Sequence, residues 1–340
     1  MVAIEANTVI QEADKLVADG AWDDAIQVLS KANRRVENGE IERRLVKIRH
    51  QAFAEVVDDT PPGPWPKPVE DLFPDCEASI PEVSASELTA ETIASAIQHH
   101  GSLLVRGLVD EKRAAGIREA IDAAFDGVTT SKNALVADRT EWYSPFRACD
   151  GYEFGGLDRA FATDGGGVLA VDSPRALFRH LDALYAADFN KVVNEYFGER
   201  TALSVKKSTL RRTEPTALAG WHQDGSFLGT DTRSLNIWTA FTPCGLDAPS
   251  LDIFPWPFKE LVKPGGKDIF DWSISNDTAA GYGEKNIVRP VFETGDALLF
   301  DQLTLHRTGI DKSMTNTRYA IEMWFFAAST YPRDQIPLCL

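Results

Sequence analysis

Apolar residues recur at helical spacing near the start of the chain. Ala13, Leu16, Gly20, Trp22, Ala25, Leu29 and Ala32 fall at such intervals, and Gly20-Ala21 interrupts them. The pattern predicts two helices joined by a turn, with "IERRLVKIRHQAFAEV" as a third. Pro61, Pro62, Pro64, Pro66 and Pro68 come next; they forbid helix and favour an extended connector. A helix over "SELTAETIASAIQHHG", a strand over "SLLVRGLV" and an amphipathic helix over "DEKRAAGIREAIDAAFDG" follow. Residues 128–175 have weak periodicity and read as loops, with Asp164 to Val168 ("DGGGV") as a flexible segment suited to a lid. "SPRALFRHLDALYAADFNKVVNEYFG" returns to helix.

Beyond residue 200 the period shortens to that of strands. "TALSVKKSTLRR", "GWHQDGS", "LNIWTAFTP", "SLDIFPW", "NIVRPVFE", "DALLFD", "LTLHRTG" and "TRYAIEMWFFAA" are short and are joined by Gly, Pro and Asp turns. That number of strands fits a double-stranded β-helix, the jelly-roll or cupin-like core. The expected fold class is α+β, with helices flanking this core and an N-terminal helical hairpin module. Boundaries are expected at 1–56 for the helical module, 57–80 for the linker and 81–340 for the β-helix domain.

Composition narrows the function. The net charge is −16 and the pI about 4.8. Such a surface repels nucleic acid and anionic membranes. No 18-residue apolar run is present, and the first residues lack a basic region followed by an apolar run, so a cytoplasmic protein is expected. Cys76, Cys149, Cys244 and Cys339 are far apart, which suits free thiols rather than a zinc ribbon or a disulfide framework.

Of six histidines, only His222 and His306 fall in the strand-rich region. On a strand, His222 and Asp224 would share one face. Taken alone, "HQDG" also makes a good polar turn. With His306 from the second-last strand, the set becomes two histidines and a carboxylate. That is the facial triad of non-haem Fe(II) oxygenases, which leaves positions open for cosubstrate and O2. Arg318, on the last strand, supplies the planar fork that a buried carboxylate of 2-oxoglutarate requires. Arg307, next to His306, points the other way. Lys207 and Arg211 share one face of the preceding strand and Lys206 and Arg212 the other; either a solvated face or a contact to an anion is consistent with this. "KPGGKD" lacks the spacing of a phosphate loop.

With these residues in view, positions 85–335 resemble the phytanoyl-CoA dioxygenase family of Fe(II)/2-oxoglutarate oxygenases. "SLLVRGLV" is similar to its opening strand and "LNIWTAFTPCGLDAPSLDIFP" to its central segment. The resemblance implies His222, Asp224 and His306 as iron ligands and Arg318 as cosubstrate anchor. It also implies Trp238 in the wall of the 2-oxoglutarate pocket, and Lys207 is a further candidate cosubstrate contact. The activity implied is O2-dependent oxidation, most often hydroxylation, of a small organic substrate with release of succinate and CO2. "WPFKELV" departs from the family's usual segment at that place. Gly20, Trp22, Ala25, Leu29 and Ala32 resemble one tetratricopeptide unit, which would offer a contact to a protein partner or a second copy. Two other classes compete: a binding scaffold with a relic β domain, and a cupin-like isomerase using another divalent metal, which would have no need of Arg318.

Overall fold

The computed structural model describes residues 2–58, 60–133, 141–154, 159, 162, 163, 166–217, 220–263 and 273–340. Helices α1 (Val2–Ala18), α2 (Trp22–Arg35) and α3 (Gly39–Val56) form the N-terminal head. Asn38 starts α3 by accepting hydrogen bonds from the backbone N–H of Glu40 and Ile41 at 2.9 and 3.2 Å. Ala25, Leu29, Leu45 and Ile48 are fully buried in the same apolar cluster as Leu203, Met323 and Leu338 of the sheet. Each such leucine or isoleucine contributes about 1.5–3 kcal/mol by leaving water.

Helices α4 (Ala90–His100), α5 (Glu111–Asn133), α6 (Pro174–Ala186) and α7 (Phe189–Phe197) flank the sheet. The strands are β1 (Glu82–Ser84), β2 (Ser102–Arg106), β3 (Gly167–Leu169), β4 (Thr201–Thr213), β5 (Ser234–Ala240), β6 (Ser250–Ile253), β7 (Ala297–Phe300), β8 (His306–Gly309), β9 (Arg318–Ala327) and β10 (Pro337–Cys339). The large sheet runs β1-β2-β7-β5-β9-β4-β10, with β3 added beside β4; β6 and β8 form a second, two-stranded sheet. All pairings are antiparallel except β1 with β2.

Strand alternation divides the core. Leu235, Ile237, Leu299, Ile321 and Met323 pack with the helices, whereas Trp238, Ala240, Leu298, Phe300, Ala320 and Trp324 pack on the other face. Central strand β5 is buried at every position, its polar Ser234, Asn236 and Thr239 included.

Several expectations need correction. "GWHQDGS" is not a strand. Trp221 and His222 make only isolated bridges, to Ile274 and His306, and Asp224 (φ −65°, ψ −20°) opens the helical turn Gly225–Leu228. "NIVRPVFE" likewise forms only bridges, at Val288 and Phe292. Within the segment read as loops, α5 runs on to Asn133 and β3 pairs with β4. Strands β1 and β10 carried no signal because each is only three residues long. Asp164 and Gly165 of the expected lid, and Gly265 to Asp268 of "KPGGKD", lie outside the described residues. All four cysteines are free. Among the described residues, no helix is long and apolar enough to cross a membrane.

Candidate metal centre

His222 and His306 face each other across a bridge: each backbone N–H donates to the other's carbonyl, at 2.9 and 3.0 Å. Their ring centroids are 4.3 Å apart. The turn after His222 then carries the Asp224 carboxylate to the same point. One ligand atom from each of His222, Asp224 and His306 lies within 4.8 Å of the others. His222 Nε2 is 3.9 Å from Asp224 Oδ1, and His306 Nε2 is 4.0 Å from Oδ2. The expected trio is therefore assembled, but a backbone turn rather than strand alternation brings the carboxylate in.

The tautomers suit a cation. His222 Nδ1 is 2.9 Å from the Gly220 carbonyl and His306 Nδ1 is 3.0 Å from that of Thr304. A carbonyl only accepts, so each Nδ1 carries the proton and each Nε2 offers a lone pair. Burial foremost, then His306, pulls the His222 pKa down to about 3, so the ring is neutral at ordinary pH. Burial raises the Asp224 pKa, and Asp224 Oδ2 has no hydrogen-bond partner among the described residues. An orphaned carboxylate oxygen beside two imidazoles whose Nδ1 atoms are tied to carbonyls is what a divalent cation satisfies.

Neighbouring residues fix the turn. Gln223, fully buried, donates to the Leu303 carbonyl at 2.5 Å and accepts from the Val262 N–H at 2.6 Å. The Gly225 N–H donates to the Gln302 carbonyl at 2.7 Å, and a Cβ at Gly225 would stand only 3.1 Å from that oxygen.

Arg318 is buried on β9. Nη1 donates to the Ser250 carbonyl at 3.1 Å and Nη2 to Thr213 Oγ1 at 2.7 Å, while Nε has no partner among the described residues. Burial draws its pKa down to about 10, which leaves it charged at neutral pH. Its guanidinium carbon is 5.1 Å from the Trp238 ring centroid, so the two side chains stack. Lys207 stacks on Phe227, with Nζ 3.6 Å from the ring centroid. Arg211 shares that face and bonds to Glu322 at 3.0 Å, whereas Arg212 turns to Asp122 on the helical side. Thr213, Ser250 and Glu322 were missed, although strand parity from Arg318 pointed to Glu322.

Residues 97–318 match the family described as Phytanoyl-CoA dioxygenase (PhyH). No curated protein matches the chain. Three solved structures are similar. EctD from S. alaskensis, with 2-oxoglutarate and 5-hydroxyectoine, is 14% identical over 69% of this chain and 75% of its own, with a TM-score of 0.47. EvdO2 from Micromonospora carbonacea var. aurantiaca, complexed with 2-oxoglutarate, is 14% identical over 71% and 94%, with a TM-score of 0.46. SnoK, a non-heme alpha ketoglutarate dependent carbocyclase from nogalamycin biosynthesis, is 13% identical over 72% and 86%, with a TM-score of 0.48. The family match leaves the head outside, takes in His222, Asp224 and His306, and ends on Arg318. It spans well over half of the 340 residues, so the chain belongs to the phytanoyl-CoA dioxygenase family of Fe(II)/2-oxoglutarate oxygenases.

Proposed function

We propose that the chain is an Fe(II)/2-oxoglutarate-dependent dioxygenase that hydroxylates a C–H bond of a small organic molecule, consuming O2 and releasing succinate and CO2. One observation carries the reading: the unpartnered Asp224 oxygen lies against two histidines that both present Nε2. Fe(II) with 2-oxoglutarate would supply the activation of O2 that an unreactive C–H bond demands. In this reading His222, Asp224 and His306 hold the metal from one side. Arg318 takes the far carboxylate of 2-oxoglutarate, and its unpartnered Nε supports that role. Trp238 walls the anchor and excludes water, which strengthens the ion pair. Lys207 adds positive charge on the cosubstrate's side.

The two facing sheets support a jelly-roll core, and a cytoplasmic location fits the absence of a membrane-crossing helix among the described residues. We read residues 1–56 as head, 57–80 as linker and 81–340 as the catalytic unit. The test is anaerobic titration with Fe(II) and then 2-oxoglutarate, followed by exposure to O2. One equivalent of each bound, with succinate formed on oxygenation, supports the reading; failure to bind 2-oxoglutarate once Fe(II) is in place overturns it.

A further inference from the structure

Glu322 stands on the same face of β9 as Arg318, four residues further along. Its register partners are Trp238 on β5 and Thr209 on β4. A central strand has neighbours on both edges, so an inner-face side chain meets solvent only through the space between the two sheets. Glu322 nevertheless keeps 18% of its side-chain surface open and its partner Arg211 keeps 24%. In the triad, His222 keeps 23% open, whereas His306 keeps 6% and Asp224 4%. Trp238, beside Glu322, packs in one cluster with Phe300, whose ring centroid is 4.8 Å from that of His306, so Glu322 and the triad border one inner chamber.

Burial alone would raise the Glu322 pKa; Arg211 and Lys207 outweigh it and hold it at about 2. The carboxylate is therefore ionised, and an ionised carboxylate only accepts hydrogen bonds, at about four lone-pair sites. Arg211 reaches one oxygen at 3.0 Å, and the Asn236 amide approaches the other at 3.5 Å, too long for a good bond. Both ends of 2-oxoglutarate are carboxylates, which a fixed anion repels. Glu322 therefore faces the other ligand of the chamber.

We infer that Glu322 is the substrate-facing carboxylate of the site and takes a hydrogen-bond donor, hydroxyl or ammonium, carried by the molecule to be oxidised. This rests on the function proposed above. Arg211 is the positioning residue that fixes the carboxylate and balances its charge. The substrate class is then a polar small molecule with an O–H or N–H group near the oxidised carbon, rather than a plain hydrocarbon or a simple carboxylate.

The experiment is an anaerobic crystal structure with Fe(II) and 2-oxoglutarate, soaked separately in ethylene glycol, ethanolamine and acetate. A hydroxyl or ammonium group bonded to Glu322, with acetate absent there, is the expected result. The glycol tests the hydroxyl, and the end of ethanolamine that faces Glu322 tells hydroxyl from ammonium. Water alone in all three soaks, acetate beside Glu322, or 2-oxoglutarate itself against that carboxylate would overturn the inference. The same maps test the parent reading separately, through occupancy of the triad and of Arg318. In solution, Glu322→Gln should not weaken 2-oxoglutarate binding. A loss of 2-oxoglutarate affinity of about tenfold or more, the worth of a bond to a charged group, would put Glu322 in the cosubstrate site and overturn the inference as well.

Discussion

Arg307 lies over Trp221, its guanidinium carbon 4.6 Å from the ring centroid, on the far side of the bridge that joins His222 to His306. Each is the chain neighbour of one of the two histidines, so alternation turns it away from the metal ligands. Asp252, buried on β6, accepts from Arg307 Nε at 3.0 Å and from Arg289 Nε at 2.7 Å. A stacked and ion-paired layer thus backs the two imidazoles.

Loss of that layer should loosen the ligands without removing any. Arg307→Ala is expected to weaken Fe(II) binding by about 10–100-fold, the usual effect of removing a support of a metal ligand. Arg289 still neutralises Asp252, so the fold should survive. Calorimetric Fe(II) titration beside a thermal melt checks this; unchanged iron affinity would mean the layer has no bearing on the ligands.

Arg318→Ala should leave iron binding intact and weaken 2-oxoglutarate binding by about two orders of magnitude or more, since removing one partner of a buried ion pair costs about 3–5 kcal/mol. Anaerobic binding titrations check it. Equal cosubstrate affinity in the variant would move the anchor elsewhere.

Iron affinity should fall as the solution is acidified. Metal binding needs the ionised Asp224, and burial raises its pKa. The binding form is present above that raised pKa and is lost as pH falls through it. There a single competing proton costs about tenfold in affinity per pH unit. His222 adds nothing to this until about pH 3, where its lowered pKa lies. Fe(II) titrations at stepped pH measure the slope, and a flat profile down to that point would remove Asp224 from the ligand set.

Deleting residues 1–56 should lower stability more than it alters the metal site. Arg49 Nη1 donates to the Cys339 carbonyl and His50 Nδ1 to the Pro337 carbonyl, both at 2.8 Å, while His50 Nε2 accepts from the Cys149 N–H at 3.1 Å. The head therefore clamps β10 against the sheet. The shortened chain is expected to melt at lower temperature, and what remains folded should bind Fe(II) in the original ratio. An unchanged melting temperature would show that the clamp is energetically idle.

The clustering of His222, Asp224 and His306 was legible in the sequence because only two of the six histidines fall in its strand-rich region and Asp224 stands two residues from one of them. The route by which Asp224 arrives was not legible, since "HQDG" suits a strand end and a turn equally well. Central strand β9 was plain from the apolar run that closes it, and β5 from its β-branched and aromatic residues. Strands β1, β3 and β10 were hidden because three residues are too few to show an alternation. Glu322 was passed over as one charge within an apolar strand, where parity with Arg318 was the available clue.

The central claim is that His222, Asp224 and His306 are the iron ligands. Its most direct test is elemental analysis of anaerobically reconstituted protein and of His306→Ala, both desalted before measurement. We expect one iron per chain in the unaltered protein and almost none in the variant, with the fold retained by circular dichroism. Iron retained at the full ratio in folded His306→Ala would contradict the account.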